Sequence, residues 1–479
     1  LPLFFLTRTA SALVGALAGG ALVARYLREE GEENEREDLF VPRTAGAPGN
    51  PFLFFRDRTP RRKRVQNARP PPVAFSVLDT IGNTPMIRVK SLSEITGCDV
   101  LIKCEFANPG GSVKDRVALR IVTDAMKNGT LRKGGVVTEG TAGSTGVSVA
   151  MVANALGCEA FLSLPDDAAA EKSQLMRAFG ARVEPVRPVA ITHENHFVNV
   201  ARRRAEAAQK NNQKGDASDA TEHSREEEKE NGGLFCDQFE NLANARAHFH
   251  GTGPEIWDQV RGMERGRGPA NAWTERFFTS ARKRSRPALD AFVCACGTGG
   301  TLAGVASFLK RKDARISCFL VDPQGSSLYN KVTRGVLYTH QEAEGKRLRN
   351  PFDTITEGVG INRLTKNFAV ALGTEALFPG ESDGSQASLI SGAFRCSDRE
   401  AVEMSRFLAR TDGLFLGSSS CVNVVGAVKA ARRLGPGHRV VTIACDGGGR
   451  HLSKFWSDEY LEKHGLTPTA RGLEFLEET

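Results

Sequence analysis

The sequence predicts a parallel α/β fold, and three observations carry that prediction. From about Phe75 onward, apolar β-rich runs alternate with stretches of helical spacing. Several of the runs are continuously apolar, as strands buried on both faces require. The helical stretches stop on glycine. The runs that read as strands are DVLIKCEF, GGVVTEG, CEAFLSLP, ARVEPV, DAFVCACG, ARISCFLVDP, DGLFLGSS and RVVTIACDGG. Between them VALRIVTDAMKNG, STGVSVAMVANALG, AEKSQLMRAFGA and TLAGVASFLKRK space their apolar residues as helices do.

The chain has 479 residues, 40% apolar and 25% charged, which is ample for a sizeable core. Its formal net charge is +8, spread unevenly between basic clusters at 61–64 and 282–286 and an acidic run at 29–38. Such runs read as solvated linkers, so no nucleic-acid partner is expected. The ten cysteines are too sparse for a disulfide scaffold, and several lie inside apolar runs as buried thiols of a reducing compartment. Cys294 and Cys296 face one side of one strand, with no second Cys or His pair of matching spacing, and HENH at 193–196 falls short of a zinc helix, so no metal is expected.

Before the core, Thr9 to Ala24 is uncharged and lies between Arg8 and Arg25. It reads as a signal anchor, a mitochondrial presequence or a secretory signal, and the acid-free, Arg-bearing composition suits a mitochondrial address. The expected organisation is a membrane anchor or targeting segment at 1–27 and a disordered tether at 28–74. A catalytic region follows at 75–457, then a C-terminal tail at 458–479. A mobile subdomain is expected at roughly 110–245, interrupted by a disordered insertion at 210–233; a basic insertion is expected at 263–287 and a polar stretch at 374–392.

Three small-residue segments follow apolar runs and open helices. Gly297-Thr298-Gly299-Gly300-Thr301 has the build of a phosphate cradle: glycines admit an anion close to the backbone, and the helix start aims unpaired N–H groups at it. Plain β–α packing also uses such turns. Thr141-Ala142-Gly143-Ser144-Thr145-Gly146 offers hydroxyls and N–H groups that suit a carboxylate, where an N-cap needs one hydroxyl. Gly417-Ser418-Ser419-Ser420 likewise holds more serines than a cap uses. A fourth turn, Asn108-Pro109-Gly110-Gly111-Ser112-Val113-Lys114-Asp115-Arg116, sets Lys114 at a helix start, where a cation is disfavoured; read alone, a surface lysine is the commoner case. A lysine so held has the lowered pKa that Schiff-base chemistry needs.

NPGGSVKDR resembles the cofactor-lysine motif of the cysteine synthase and cystathionine β-synthase family. IGNTPMIRV at 81–89 resembles that family's opening strand, and the glycine turn at 297–301, DQFENLAN at 237–244, TGPEIW at 252–257 and EGVG at 357–360 resemble further motifs of it, in family order. The resemblance implies pyridoxal-phosphate (PLP) fold type II, with two open sheet domains and PLP in the cleft between them. It implies that Lys114 carries PLP as a Schiff base and then serves as the base, and that Gly297, Thr298, Gly299, Gly300 and Thr301 hold the phosphate. Ser419 meets the pyridine nitrogen and Ser144 the ring oxygen; Thr141, Ala142, Gly143, Ser144, Thr145 and Gln238 bind the substrate carboxylate. The implied reaction is β-replacement of O-acetyl-L-serine by sulfide to give L-cysteine and acetate, in a homodimer.

Three departures bear on the substrate. The family loop TSGNTG reads TAGSTG here, the serine turn continues into Cys421, and Gly449-Arg450-His451 stands where the family has Arg-Tyr or Asn-Tyr. Membrane-anchored fungal proteins of the family share TAGSTG, GSSS and the N-terminal apolar run, which supports an anchor on the mitochondrial outer membrane. The absence of a tandem domain beyond residue 460 and of a haem-type Cys/His pair favours a synthase over cystathionine β-synthase. A PLP-dependent lyase, a serine- or phosphoserine-using synthase, and an inactive PLP-binding scaffold are the alternatives.

Overall fold

Alternate residues of the central strands serve two different cores, which is why those strands must be apolar throughout. In the computed structural model, Val100 and Ile102 of β2 (Asp99–Cys104) pack into one cluster and Leu101 into another. In β7 (Ala291–Ala295), Ala291, Val293 and Ala295 join the first cluster while Phe292 and Cys294 join the second. Helices cover both faces of the sheet, so neither face tolerates a polar set. The structure describes residues 73–141, 143–166, 170–189, 191–214, 232–264, 287–339, 354–381 and 387–476.

β2 and β7 belong to a six-stranded sheet with β1 (Met86–Arg88), β8 (Ser317–Pro323), β9 (Gly392–Cys396) and β10 (Arg439–Ala444), in the order β1-β2-β10-β7-β8-β9. Neighbours run parallel except β1, which pairs antiparallel with β2 at the edge. A second, wholly parallel sheet of four strands runs β5 (Arg182–Val186), β4 (Glu159–Pro165), β3 (Val136–Gly140), β6 (Gly233–Phe235). Its core includes Val137, Ala160 and Leu162 together with Val117 and Ile121 of the helix Lys114–Lys127 and Val149 of the helix Ser144–Ala155. The α/β class with parallel sheets is therefore as the sequence predicts.

Some expectations need correction. DGLFLGSS is not a strand: Leu416 makes only an isolated bridge to Gly447, and Phe415 is exposed, so the run lacks the two-sided burial of its neighbours. β6 and β9 were not read from the sequence, and β1 was anticipated only through the resemblance carried by IGNTPMIRV; all three are short and lie at sheet edges. The segment expected to be disordered from 210 is helical to Lys214, in the helix Phe197–Lys214, and Gly233 already belongs to β6. The C-terminal residues expected as a tail pack onto the body. Leu461, Leu473 and Leu476 are buried in the core containing Val440, and Thr469 N–H donates to Glu403 at 2.8 Å. The anchor, most of the tether, and the larger parts of the two insertions lie outside the described residues. Among the described residues no helix is long and apolar enough to cross a membrane.

Candidate active site

In parallel sheets, ligands bind beyond the carboxyl ends of strands, and the four segments singled out from the sequence lie at those ends. β3 runs into Thr141, β7 into Cys296 and Gly297, and β10 into Cys445 and Asp446. Val113 N–H donates to Cys445 C=O at 2.8 Å, which brings the Lys114 turn against the end of β10. Ala142 lies outside the described residues.

The helices Ser144–Ala155, Gly300–Lys312 and Ser418–Leu434 share an unusual start. Each has a glycine N-cap, Gly143, Gly299 and Gly417, and none receives a side-chain cap. The N-cap residue thus offers no side-chain partner to their first N–H groups, although Gly300 N–H reaches Thr298 Oγ1 at 3.4 Å. The hydroxyls that the sequence left over are used elsewhere. Ser418 Oγ accepts from Glu357 N–H at 3.0 Å, and Ser420 Oγ donates to Asp446 C=O at 2.9 Å. Ser419, buried, bonds the Cys445 thiol. Thr141 Oγ1 accepts from Gly143 N–H at 3.1 Å.

The glycine turn at 297–301 is tightly enclosed. A Cβ on Gly297 would fall 2.2 Å from Gly358 O, and one on Gly300 would fall 2.0 Å from Asn244 Oδ1. Gly299 has φ +86, a left-handed conformation that suits glycine. Asn244 Nδ2 donates to Thr298 Oγ1 at 2.9 Å, and Thr301 Oγ1 lies 3.2 Å from His248 Nε2. Burial holds His248 well below its ordinary pKa, assisted by Lys114 and Arg116, so it stays neutral. Gly297→Ala is expected to cost about 1–3 kcal/mol, because the obstruction is backbone and cannot swing aside; urea unfolding of the two proteins measures it.

Lys114 is the first residue of its helix and is half-buried. Burial lowers its pKa, while Cys445, Cys294, Cys296 and Asp446 act in the opposite direction. The thiols themselves are pushed up by burial, Cys445 to about 12. The expected carboxylate loop is coupled to Gln238: Thr145 Oγ1 donates to Gln238 Oε1 at 2.6 Å, and Gln238 Nε2 donates to Glu139 Oε1 at 3.2 Å.

Glu139, Asp446, His451 and Asn244 belong to this constellation and were missed as site residues. The available signal was an ionisable residue at the end of an apolar strand, as in VVTEG and TIACD. Burial raises the Glu139 pKa to about 8, opposed by hydrogen bonds from Gln238. A raised carboxyl pKa means that the folded state prefers the neutral acid. The stabilisation is full below about pH 4.5 and is lost as pH rises through about 8. Relative to wild type, Glu139→Gln is expected to unfold with a flatter pH dependence between those values. Parallel profiles from urea titrations at several pH values would remove this assignment.

Residues 77–446 match the family model of pyridoxal-phosphate dependent enzymes, so the chain belongs to that family and is a PLP-dependent enzyme. Cysteine synthase 2 of Schizosaccharomyces pombe is 43% identical over 90% of this chain and 97% of its own length. Cysteine synthase 2 of Emericella nidulans is 44% identical over 81% of each chain. A Saccharomyces cerevisiae relative with the words mitochondrial cysteine synthase in its name is 42% identical over 80% of this chain and 84% of its own. Among solved structures, an O-ureido-L-serine synthase superposes with a TM-score of 0.57 at 26% identity, covering 80% of this chain and 95% of its own.

Proposed function

We propose that this chain is a cysteine synthase that replaces the acetoxy group of O-acetyl-L-serine with sulfide, giving L-cysteine and acetate. The observation that carries it is the position of Lys114, half-buried with a lowered pKa at the end of β10, beside the uncapped helix starts. The two relatives named cysteine synthase 2 support cysteine as the product.

The residues fit PLP. The cradle of Gly297, Thr298, Gly299, Gly300 and Thr301 has no Cβ at three positions and ends on a helix start, which suits a phosphate dianion. Ser419 would meet the ring nitrogen with a hydroxyl rather than a carboxylate. When bound, PLP supplies the electron sink that labilises the Cα proton and the Cβ leaving group.

The chain's own groups do the rest. Lys114, with its lowered pKa, can act as a neutral amine that takes the Cα proton at Nζ. The N–H groups opening the helix Ser144–Ala155 would bind the substrate carboxylate. Thr141, Gly143, Ser144 and Thr145 shape that pocket, with Gln238 behind Thr145. Glu139 in its neutral form adds no repulsion there at pH 7.

Purified protein loaded with PLP should form cysteine from O-acetylserine and sulfide. Turnover with serine or phosphoserine but not O-acetylserine would replace the donor, and sulfide release from cysteine without synthesis would make the enzyme a lyase.

The organisation at 1–27, 28–74 and 75–457, a single-pass anchor at Thr9–Ala24 in the mitochondrial outer membrane, and a homodimer belong to the same proposal. Retention of the full chain in the membrane pellet after carbonate washing is expected, and release would remove the anchor.

A further inference from the structure

Two departures from the family pattern, more than 300 residues apart in sequence, meet at one carboxylate oxygen. Ser144 Oγ donates to Asp446 Oδ2 at 3.2 Å, and His451 Nε2 lies 3.2 Å from the same atom. The opposite ring nitrogen, His451 Nδ1, lies 3.7 Å from Glu357 Oε2, and Glu357 is in turn paired with Lys172 and, at 3.6 Å, with Lys454. Asp446 and His451 are both buried. The Asp446 backbone is fixed by Ser420, which accepts from its N–H at 3.2 Å and donates to its C=O at 2.9 Å.

The chemistry of this chain of contacts is directional. Asp446 is held at a pKa of about 2: burial opposes ionisation, but His451, Lys172 and Arg450 outweigh it. An ionised carboxylate only accepts, so the Ser144 hydroxyl must spend its single proton on Asp446. Toward the cleft, Ser144 then offers lone pairs alone. A serine free to rotate, or an amide side chain, would offer a donor.

We propose that Asp446, backed by His451, is a positioning residue that commits the Ser144 hydroxyl as a donor, so that Ser144 presents only an acceptor to the ring oxygen of bound PLP and favours its protonated form. The proposal rests on reading this cleft as the PLP site, with Ser144 facing the ring oxygen as the resemblance implies.

The test uses full-chain protein loaded with PLP and reads the ratio of two absorption bands of the bound cofactor, one with the proton on the ring oxygen and one with it on the linking nitrogen. Asp446→Asn supplies an amide that can donate to Ser144 and is expected to move the ratio about fivefold away from the oxygen-protonated form, the scale of one hydrogen bond. Ser144→Ala is expected to move it as well, and Asp446→Asn on that background should add nothing. His451→Phe should give a partial shift, and His451→Gln, which keeps a donor toward Asp446, should restore the wild-type ratio. If Asp446→Asn does not fold, the contrast between the two His451 variants decides.

An unchanged ratio in His451→Phe and Asp446→Asn overturns the proposal, as does an equal Asp446→Asn shift with and without Ser144. If wild-type protein takes up no PLP, the reading of the cleft falls and the proposal with it. If PLP is bound and the shifts are additive, only the coupling falls.

Discussion

Lys114→Ala is expected to lower cysteine formation by about 10²–10⁴-fold, the range that a positioned proton-transferring side chain contributes. It should also remove the absorbance of covalently held PLP. The physical reason lies in the environment of the amine: burial disfavours its charged form, so the neutral amine is more available than on an exposed lysine. The same burial separates loss of chemistry from loss of fold. Removing a desolvated cation relieves a cost, so the unfolding free energy at pH 7 is expected to change by no more than about 1 kcal/mol. Activity and absorbance measured beside urea unfolding check both halves. Wild-type turnover in the variant would refute the assignment of Lys114.

Arg116→Met is expected to have the largest effect on stability, about 3–5 kcal/mol, because it leaves buried carboxylates without their main partner. Arg116 Nε donates to Glu105 Oε2 at 2.7 Å, and Nη1 to Glu255 Oε1 at 2.6 Å. Lys103 Nζ lies 2.7 Å from Glu255 Oε2, and Thr84 Oγ1 donates to Glu105 Oε1 at 2.7 Å. Two cations thus face two anions. Without Arg116, the fully buried Glu105 loses its only opposite charge within ion-pair distance among the described residues. A loss of that size is a large share of the roughly 5–15 kcal/mol that keeps a domain folded. Equilibrium urea unfolding measures it, and a change below about 1 kcal/mol would show that the network contributes little.

This network also explains three of the sequence motifs. Thr84 comes from IGNTP, Arg116 from NPGGSVKDR and Glu255 from TGPEIW, and they meet beside the helix that begins at Lys114. These motif residues hold the helix in place through hydrogen bonds and ion pairs with one another. Nothing in their local spacing could reveal that, since the bonded pairs are 32 and 139 residues apart.

The α/β class, the strands later found as β2, β3, β4, β7, β8 and β10, and the helices that follow the glycine turns were legible because burial on two faces imposes continuous apolar runs, and this is a local property of sequence; β5 was read as well, although it is largely exposed at a sheet edge. The edge strand β9 was not legible, since partial burial leaves no such run, and β1 was anticipated only through the resemblance carried by IGNTPMIRV. DGLFLGSS failed for the converse reason: its apolar residues include the exposed Phe415. The glycine turns could be read because backbone approach and helix starts are encoded within a few residues, whereas Lys114, an ordinary lysine when read alone, was singled out by the resemblance carried by NPGGSVKDR.

What only the tertiary structure decided is which of those groups meet. The serines after Gly417 looked like spare caps, yet none caps its helix; they fix Glu357, Asp446 and Cys445. Glu139 behind Gln238, and Asp446 between Ser144 and His451, come together only when strands from distant parts of the chain end at one cleft. Residue types and turns are fixed locally, whereas desolvation and charge pairing depend on neighbours that folding alone supplies. For that reason the sequence by itself determined the fold class and the helix starts that follow the glycine turns, and the tertiary structure decided the protonation and hydrogen-bond direction of the groups around them.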